Sequence, residues 1–272
     1  MTNPINRLSV YDYLIVFLVV LFVINTITQS LWPTSIVFVL ASVVIASVLD
    51  IGLGWLKSKI KKPQKNQPSM PFKVGLPKSA IVSGLIIGLL IEPSALTLNA
   101  LTPVLLAPIL AVLLKHIIRI KGDHIFNPAN LGLFLTLLIL GSTGSLSWWG
   151  ASPSWLVPLF GLFIMYRLKR LNPAASFLIV YIILFLALDV VNGKLSANSF
   201  NQFYSGTLFF FGFIMVQEPV TAPRGKRARL IGGVLAAIFT FIFTFYLQQY
   251  SMLLGLVVAD LFFPFFNWKY NK

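Results

Sequence analysis

Two short apolar stretches decide how this chain is built: residues 83–95, SGLIIGLLIEPSA, and residues 205–223, SGTLFFFGFIMVQEPVTAP. Each opens on Ser-Gly (Ser83-Gly84, Ser205-Gly206), carries an inner glycine (Gly88, Gly212) and stops at Glu-Pro (Glu92-Pro93, Glu218-Pro219) followed by small residues. A helix that crosses the roughly 30 Å hydrocarbon core takes about 20 apolar residues, so both are too short to cross unbroken. Short, Gly/Pro-interrupted segments in matching positions of two halves point to a central binding site in an inverted-repeat membrane protein. Broken backbone at membrane depth has to be buried in protein or line a cavity. Ser-Gly and Glu-Pro are also common punctuation of helix ends, and that plainer reading stands beside the repeat.

Outward from this pair, the apolar pattern divides into ten segments: 12–31, 35–56, 79–92, 98–118, 128–140, 154–166, 173–190, 205–217, 229–248 and 250–266. The composition agrees. The 272 residues are 57% hydrophobic and only 10% charged, against about a quarter charged in soluble domains. The mean hydropathy is +0.87. The first apolar run is too long for a cleaved signal peptide, lacks a small-residue cleavage site, and leads directly into further spans. The expected fold is an all-α polytopic membrane protein of about ten transmembrane helices, arranged as two inverted five-helix repeats. Residues 1–272 form a single integral membrane domain, with halves of about 1–145 and 146–272 and a Pro- and Lys-rich cytoplasmic linker at 57–78.

Charge supplies the orientation. With both termini cytoplasmic, every basic residue but Lys194 falls in an inward-facing segment, so 20 of the 21 lie inside. That asymmetry follows the positive-inside rule. It accounts for the net charge of +14 without a nucleic-acid partner, since neither a basic amphipathic helix nor a zinc spacing accompanies it. The expected location is the prokaryotic cytoplasmic (inner) membrane, with the lipid bilayer as partner. The absence of cysteine excludes disulfides, thiolate metal sites and iron–sulfur ligation by this chain. Two histidines, His116 and His124, make a multi-histidine metal centre improbable. No Walker loop, Rossmann fingerprint, Ser-His-Asp set or paired catalytic carboxylates occurs, so no catalytic residue is assigned and hydride entry is expected on a partner.

Between the fourth and fifth segments lies KGDHIFNPANLGL, residues 121–133. Asn127 suits an N-cap and Pro128 the first helical turn. The plain reading is helix initiation at the membrane surface. The functional reading adds His124, Asn127 and the free N–H groups of that helix start as a place for an anionic or hydrogen-bonding ligand.

HIFNPANLGL (124–133), together with SGLIIGLLIEPSA, YRLKRLNPAASF (166–177) and FIMVQEPVTAPRGKRARLIGG (213–233), resembles the RnfD membrane proteins of Rnf electron-transport complexes. It is equally similar to the related NqrB proteins of the sodium-pumping NADH:quinone oxidoreductase. The resemblance spans about residues 75–250, with Glu218 where the family pattern usually has Asp. It implies a flavin-binding bundle of two inverted repeats, working with other Rnf-like membrane subunits or a redox partner to move electrons, coupled to Na⁺ or H⁺. The family attaches FMN to a Thr in a Ser-Gly-Ala-Thr-like motif after the fifth span. Here that loop is LGSTGSLSWWGASPSW (140–155), in which Thr143 has unlike neighbours. The expected cofactor is therefore a non-covalent flavin, FMN or riboflavin, as in a compact stand-alone member. Its expected ligands are Ser83, Gly84, His124, Asn127, Pro128, Glu218, Thr221 and Pro223.

Among charges inside the spans, Asp260 in VVADLFF is read either as part of an ion path or as a structural tie. Asp50 is read as structural, with Lys57 two helical turns away. Asp12, Asp189 and His116 are read as interfacial. The basic cluster in TAPRGKRAR (221–229) is read as a topology signal ahead of a phosphate contact. Two rivals remain open: a non-redox transporter of a small solute or ion using the same cavity, and a non-catalytic scaffold for other subunits.

Overall fold

The structure is a computed structural model, and it describes residues 9–60, 75–141, 146–152, 155–167, 171–223 and 225–270. The helices are α1 (Val10–Thr28), α2 (Thr34–Ile60), α3 (Lys78–Leu90), α4 (Leu98–Ile117), α5 (Pro128–Leu140), α6 (Leu156–Arg167), α7 (Leu171–Val191), the short α8 (Ala197–Asn201), α9 (Gly206–Phe210), α10 (Lys226–Thr244) and α11 (Ser251–Tyr270). A π-helical turn, Phe211–Met215, continues α9. The strands β1 (Arg119–Ile120) and β2 (Asp123–His124) form a small antiparallel hairpin.

Among the described residues six helical segments are long and apolar enough to cross a membrane: α1, α2, α4, α7, α10 and Gln248–Phe266. Four shorter apolar helices, Lys78–Leu90, Pro128–Leu140, Leu156–Arg167 and Gly206–Met215, fall where the remaining expected segments lie. Val16, Ile27, Val48, Ile139, Phe163 and Ile183 present apolar side chains to the outside, as helices facing lipid do. The chain is an all-α membrane protein. The expected linker is partly helical: α2 continues through Lys57 to Ile60, and α3 starts at Lys78. Residues 61–74 lie outside the described residues.

In order along the chain, α1 packs on α3, α2 on α3 and α4, α4 on α5, α6 on α9, α7 on the π turn and α10, and α10 on α11. Small residues set these distances, as is usual where lipid provides no hydrophobic drive between helices. A Cβ at Gly84 would sit 2.6 Å from Val43 Cα and one at Gly88 2.7 Å from Val39 Cα, so α3 lies directly on the α2 backbone. Gly255 meets Thr240 in the same way where α11 crosses α10.

The loop before α6 docks on the end of α3. Ser147 and Trp148 donate backbone N–H groups to Leu90 O, and Trp149 Nε1 donates to Gly88 O at 3.0 Å. Asn25 donates from Nδ2 to Gly150 O and Gln29 from Nε2 to Trp149 O, tying the end of α1 to the same loop. The end of α3 is thus closed by backbone and indole donors. The segment that holds Thr143, 142–145, lies outside the described residues.

Candidate functional site

The site forms around the start of α5. Lys121 and Gly122 both have positive φ (51° and 92°), the two-residue turn whose twist matches a hairpin. Gly122 adopts that geometry without a side-chain penalty. The turn reverses the chain after Arg119 and brings His124 inward, where it is buried. Asn127 then caps α5: its side-chain oxygen accepts from Asn130 N at 3.1 Å, with Pro128 in the first turn.

Asn127 also joins three parts of the chain. Its backbone N–H donates to Asp260 Oδ2 on α11 at 2.9 Å, and its Nδ2 donates to Met215 O at the end of the π turn at 2.8 Å. Asn130 Nδ2 donates to Leu253 O on α11. A π turn widens the helix and releases backbone groups, a feature frequent at functional sites. Here one of the carbonyls near that break is met by the expected motif residue.

Beyond the break, Glu218 turns back on its own chain. Its Oε2 accepts from Val220 N (2.9 Å), Thr221 N (2.7 Å) and Thr221 Oγ1 (3.0 Å). Its Oε1 accepts from the Tyr11 hydroxyl on α1 at 3.1 Å and lies 3.6 Å from His124 Nε2. Pro223 O accepts from Arg229 Nε at 3.1 Å. The His124, Asn127, Pro128, Glu218 and Thr221 set is therefore one buried cluster, with Asp260 as a further member.

Several atoms of this cluster keep hydrogen-bonding capacity. Among the described residues, Gln217 Nε2 and Oε1, Asp260 Oδ1, Asn130 Oδ1 and His124 Nε2 are buried without a hydrogen-bond partner. Native interiors leave few such groups, and each marks a position with a reason. Gln217, only 3% exposed, gives no sign in the sequence: a Gln before Glu-Pro carries no pattern until its burial is known. Tyr11 is likewise invisible there, since its contact joins residues 207 apart in sequence.

The structure places Ser83 and Gly84 on α3: Ser83 Oγ donates to Ser79 O within the helix, and Gly84 is the contact with α2. A small cleft of about 180 Å³ is lined by Trp148, Thr207, Gln248, Gln249, Ser251, Met252 and Leu253. It is below the roughly 300–1,000 Å³ of most ligand sites.

The remaining charges pair locally. Asp12 accepts from Lys78 Nζ at 2.7 Å and caps α1 through Ser9. Asp50 binds Lys115 Nζ at 3.0 Å and His116 Nε2 at 2.8 Å, whereas Lys57, its expected neighbour, donates to His116 O. The helical register across α2 and α4, unseen in sequence, decides that exchange. Among the described residues no group of three or more His, Cys, Asp or Glu forms a metal centre.

Part of the sequence is similar to a known protein. A segment of 87 residues is 28% identical to the D component of the ion-translocating oxidoreductase complex of Haemophilus ducreyi. The match spans 32% of this chain and 25% of that relative, so the chain covers about a quarter of the curated protein's length. No family model matches.

Proposed function

We propose that the chain is a flavin-binding membrane subunit of an Rnf-like electron-transport system. In this reading it moves electrons within or across the membrane, coupled to Na⁺ or H⁺ movement through Asp260. The observation that carries the reading is the buried cluster at the start of α5, with unpartnered amide and carboxyl atoms beside a broken helix. The limited similarity to a component of an ion-translocating oxidoreductase complex supports the same direction.

The cluster's chemistry fits the edge of a flavin. The Gln217 carboxamide offers a donor and an acceptor side by side, the complement of an imide N–H and carbonyl. Asn127, Pro128, His124, Glu218, Thr221 and Pro223 would frame that edge; Ser83 and Gly84 lie on α3. The bound flavin supplies the one- or two-electron redox chemistry, and the protein positions and tunes it. What this chain contributes is orientation by Gln217 and Asn127, a carboxylate held by Tyr11 and the Thr221 backbone, and exclusion of water by burial. No covalent attachment is proposed.

The same reading includes two inverted five-helix halves, α1–α5 and α6–α11 without the short α8, making ten crossings with both termini cytoplasmic. Its support is the order of helix contacts and the glycine crossings of α5 on α4 at Gly132 and of α11 on α10 at Gly255. An odd number of crossings per half gives opposite orientations. Other Rnf-like membrane subunits or a soluble redox partner, in the prokaryotic inner membrane, complete the proposal.

One observation favours a second reading, a non-redox transporter of a small solute or ion. The unpartnered Asp260 Oδ1, Asn130 Oδ1 and Gln217 Oε1 are all oxygen acceptors, the ligand type of hard cations. Purification in the presence of added FMN or riboflavin separates the two. The flavin reading predicts stoichiometric uptake that Gln217→Leu abolishes. Absence of uptake, with solute or ion flux in vesicles, would replace it with the transporter.

A further inference from the structure

A second charged group lies where α2 and α4 end. Over its 27 residues α2 is about 40 Å long, some 10 Å more than the hydrocarbon core, so its last turn stands at headgroup level. Trp55, with Lys59 Nζ 4.0 Å over its ring, marks that level; Trp is enriched at membrane–water interfaces. Lys57 reaches across to His116 O at 2.8 Å and pins the two helix ends together. Arg119, two residues past α4, is near enough to Lys57 to act on it as a like charge.

The local charge is not balanced. Asp50 is engaged by both Lys115 and His116, and Asp123, across the hairpin from Ile120, already has an interaction of its own. Lys57 donates to a carbonyl and shares Asp50, at longer range, with Lys115 and His116, and the Arg119 side chain makes no hydrogen bond or ion pair among the described residues. Around these two cations stand exposed apolar side chains: Ile60 (70%), Ile117 (72%) and Ile120 (46%). A soluble anion would leave those side chains in water. A phospholipid would cover them with its glycerol and acyl chains while its phosphate met the cations. Basic pockets between transmembrane helices are known to hold anionic headgroups in this way.

We infer that the surface where the ends of α2 and α4 meet is a binding site for an anionic phospholipid, with its phosphate held by Lys57 and Arg119 and its apolar part against Ile60, Ile117 and Ile120. The site adjoins the Asn127 cluster through the hairpin, where Arg119 pairs with His124, but it uses none of that cluster's side chains and does not depend on the redox reading. Its occupant pins two helices of the first half, so headgroup charge sets how firmly they stay together.

The test is native mass spectrometry of the full chain in mild detergent, titrated with phosphatidylglycerol and, separately, phosphatidylcholine of identical acyl chains. The expected result is preferential retention of phosphatidylglycerol. Arg119→Gln, which removes no hydrogen bond to the described protein, weakens it about fivefold, and Lys57→Gln/Arg119→Gln about 30-fold, following the usual contribution of each basic residue near an anionic surface. Arg119→Lys retains binding, and Lys194→Gln, distant in sequence, leaves it unchanged. Equal binding of the two lipids, an Arg119→Gln variant that holds phosphatidylglycerol as tightly as wild type, or displacement of the lipid by millimolar inorganic phosphate each overturns the assignment.

Discussion

Replacing Asn127 tests the architecture of the cluster with a magnitude that follows from its bonds. The side chain does two separable things: its oxygen caps α5 through Asn130 N, and its Nδ2 satisfies Met215 O beside the π turn. Loss of an Asn cap costs about 1 kcal/mol. A buried carbonyl stripped of its donor costs about 1–3 kcal/mol more. Asn127→Ala removes both and is expected to destabilise by about 2–4 kcal/mol. Asn127→Ser keeps a capping oxygen but is too short to serve Met215, so it should cost about 1 kcal/mol less than alanine. The backbone bond to Asp260 survives in both variants. The assay is unfolding in mixed micelles, following helix content as SDS is titrated. An alanine variant within about 0.5 kcal/mol of wild type would refute the bridging role. A serine variant as damaged as alanine would refute the cap.

Other outcomes follow from single contacts. Gly84→Ala places a Cβ 2.6 Å from Val43 Cα, where only backbone can give way, so a loss of about 1–3 kcal/mol is expected. Gly52→Ala, with nothing within 4 Å, should stabilise α2 by about 0.5–1 kcal/mol in the same micelle titration. Asp260→Asn keeps an acceptor for Asn127 N and should fold, whereas Asp260→Leu strands that N–H; thermal melting in detergent should separate them, and equal melting would contradict the bond's importance. Trp149→Phe loses the donor to Gly88 O and should loosen the 146–151 loop, read as faster amide exchange there with α7 unchanged.

The membrane class is legible in the sequence because apolar runs of this length have no soluble alternative. The helix start at Asn127-Pro128 is legible for a local reason: a cap and an N1 proline act within one turn. The candidate site is legible in its motif residues only. His124 and Glu218 can be named, but their 3.6 Å approach joins segments 94 residues apart and depends on how α5 meets the π turn. Gln217 carries no signal, because its significance is burial without partners. Ser83-Gly84 reads as part of a binding segment, yet the same small residues serve close contact with α2. Small size permits either use, and only the neighbouring helix decides. Asp50 shows the limit for charges: proximity along α2 points to Lys57, while the rotation of α4 supplies Lys115 and His116 instead.

The most direct test of the central claim is the visible spectrum of the protein purified from its own membranes in mild detergent, before and after acid precipitation. The proposed function predicts oxidised-flavin bands that bleach on reduction with dithionite and pass into the acid supernatant, as a non-covalent flavin does. Bands retained by the precipitated chain would contradict the non-covalent site. A colourless protein that takes up neither FMN nor riboflavin would contradict flavin binding itself and leave the small-solute or ion transporter in its place.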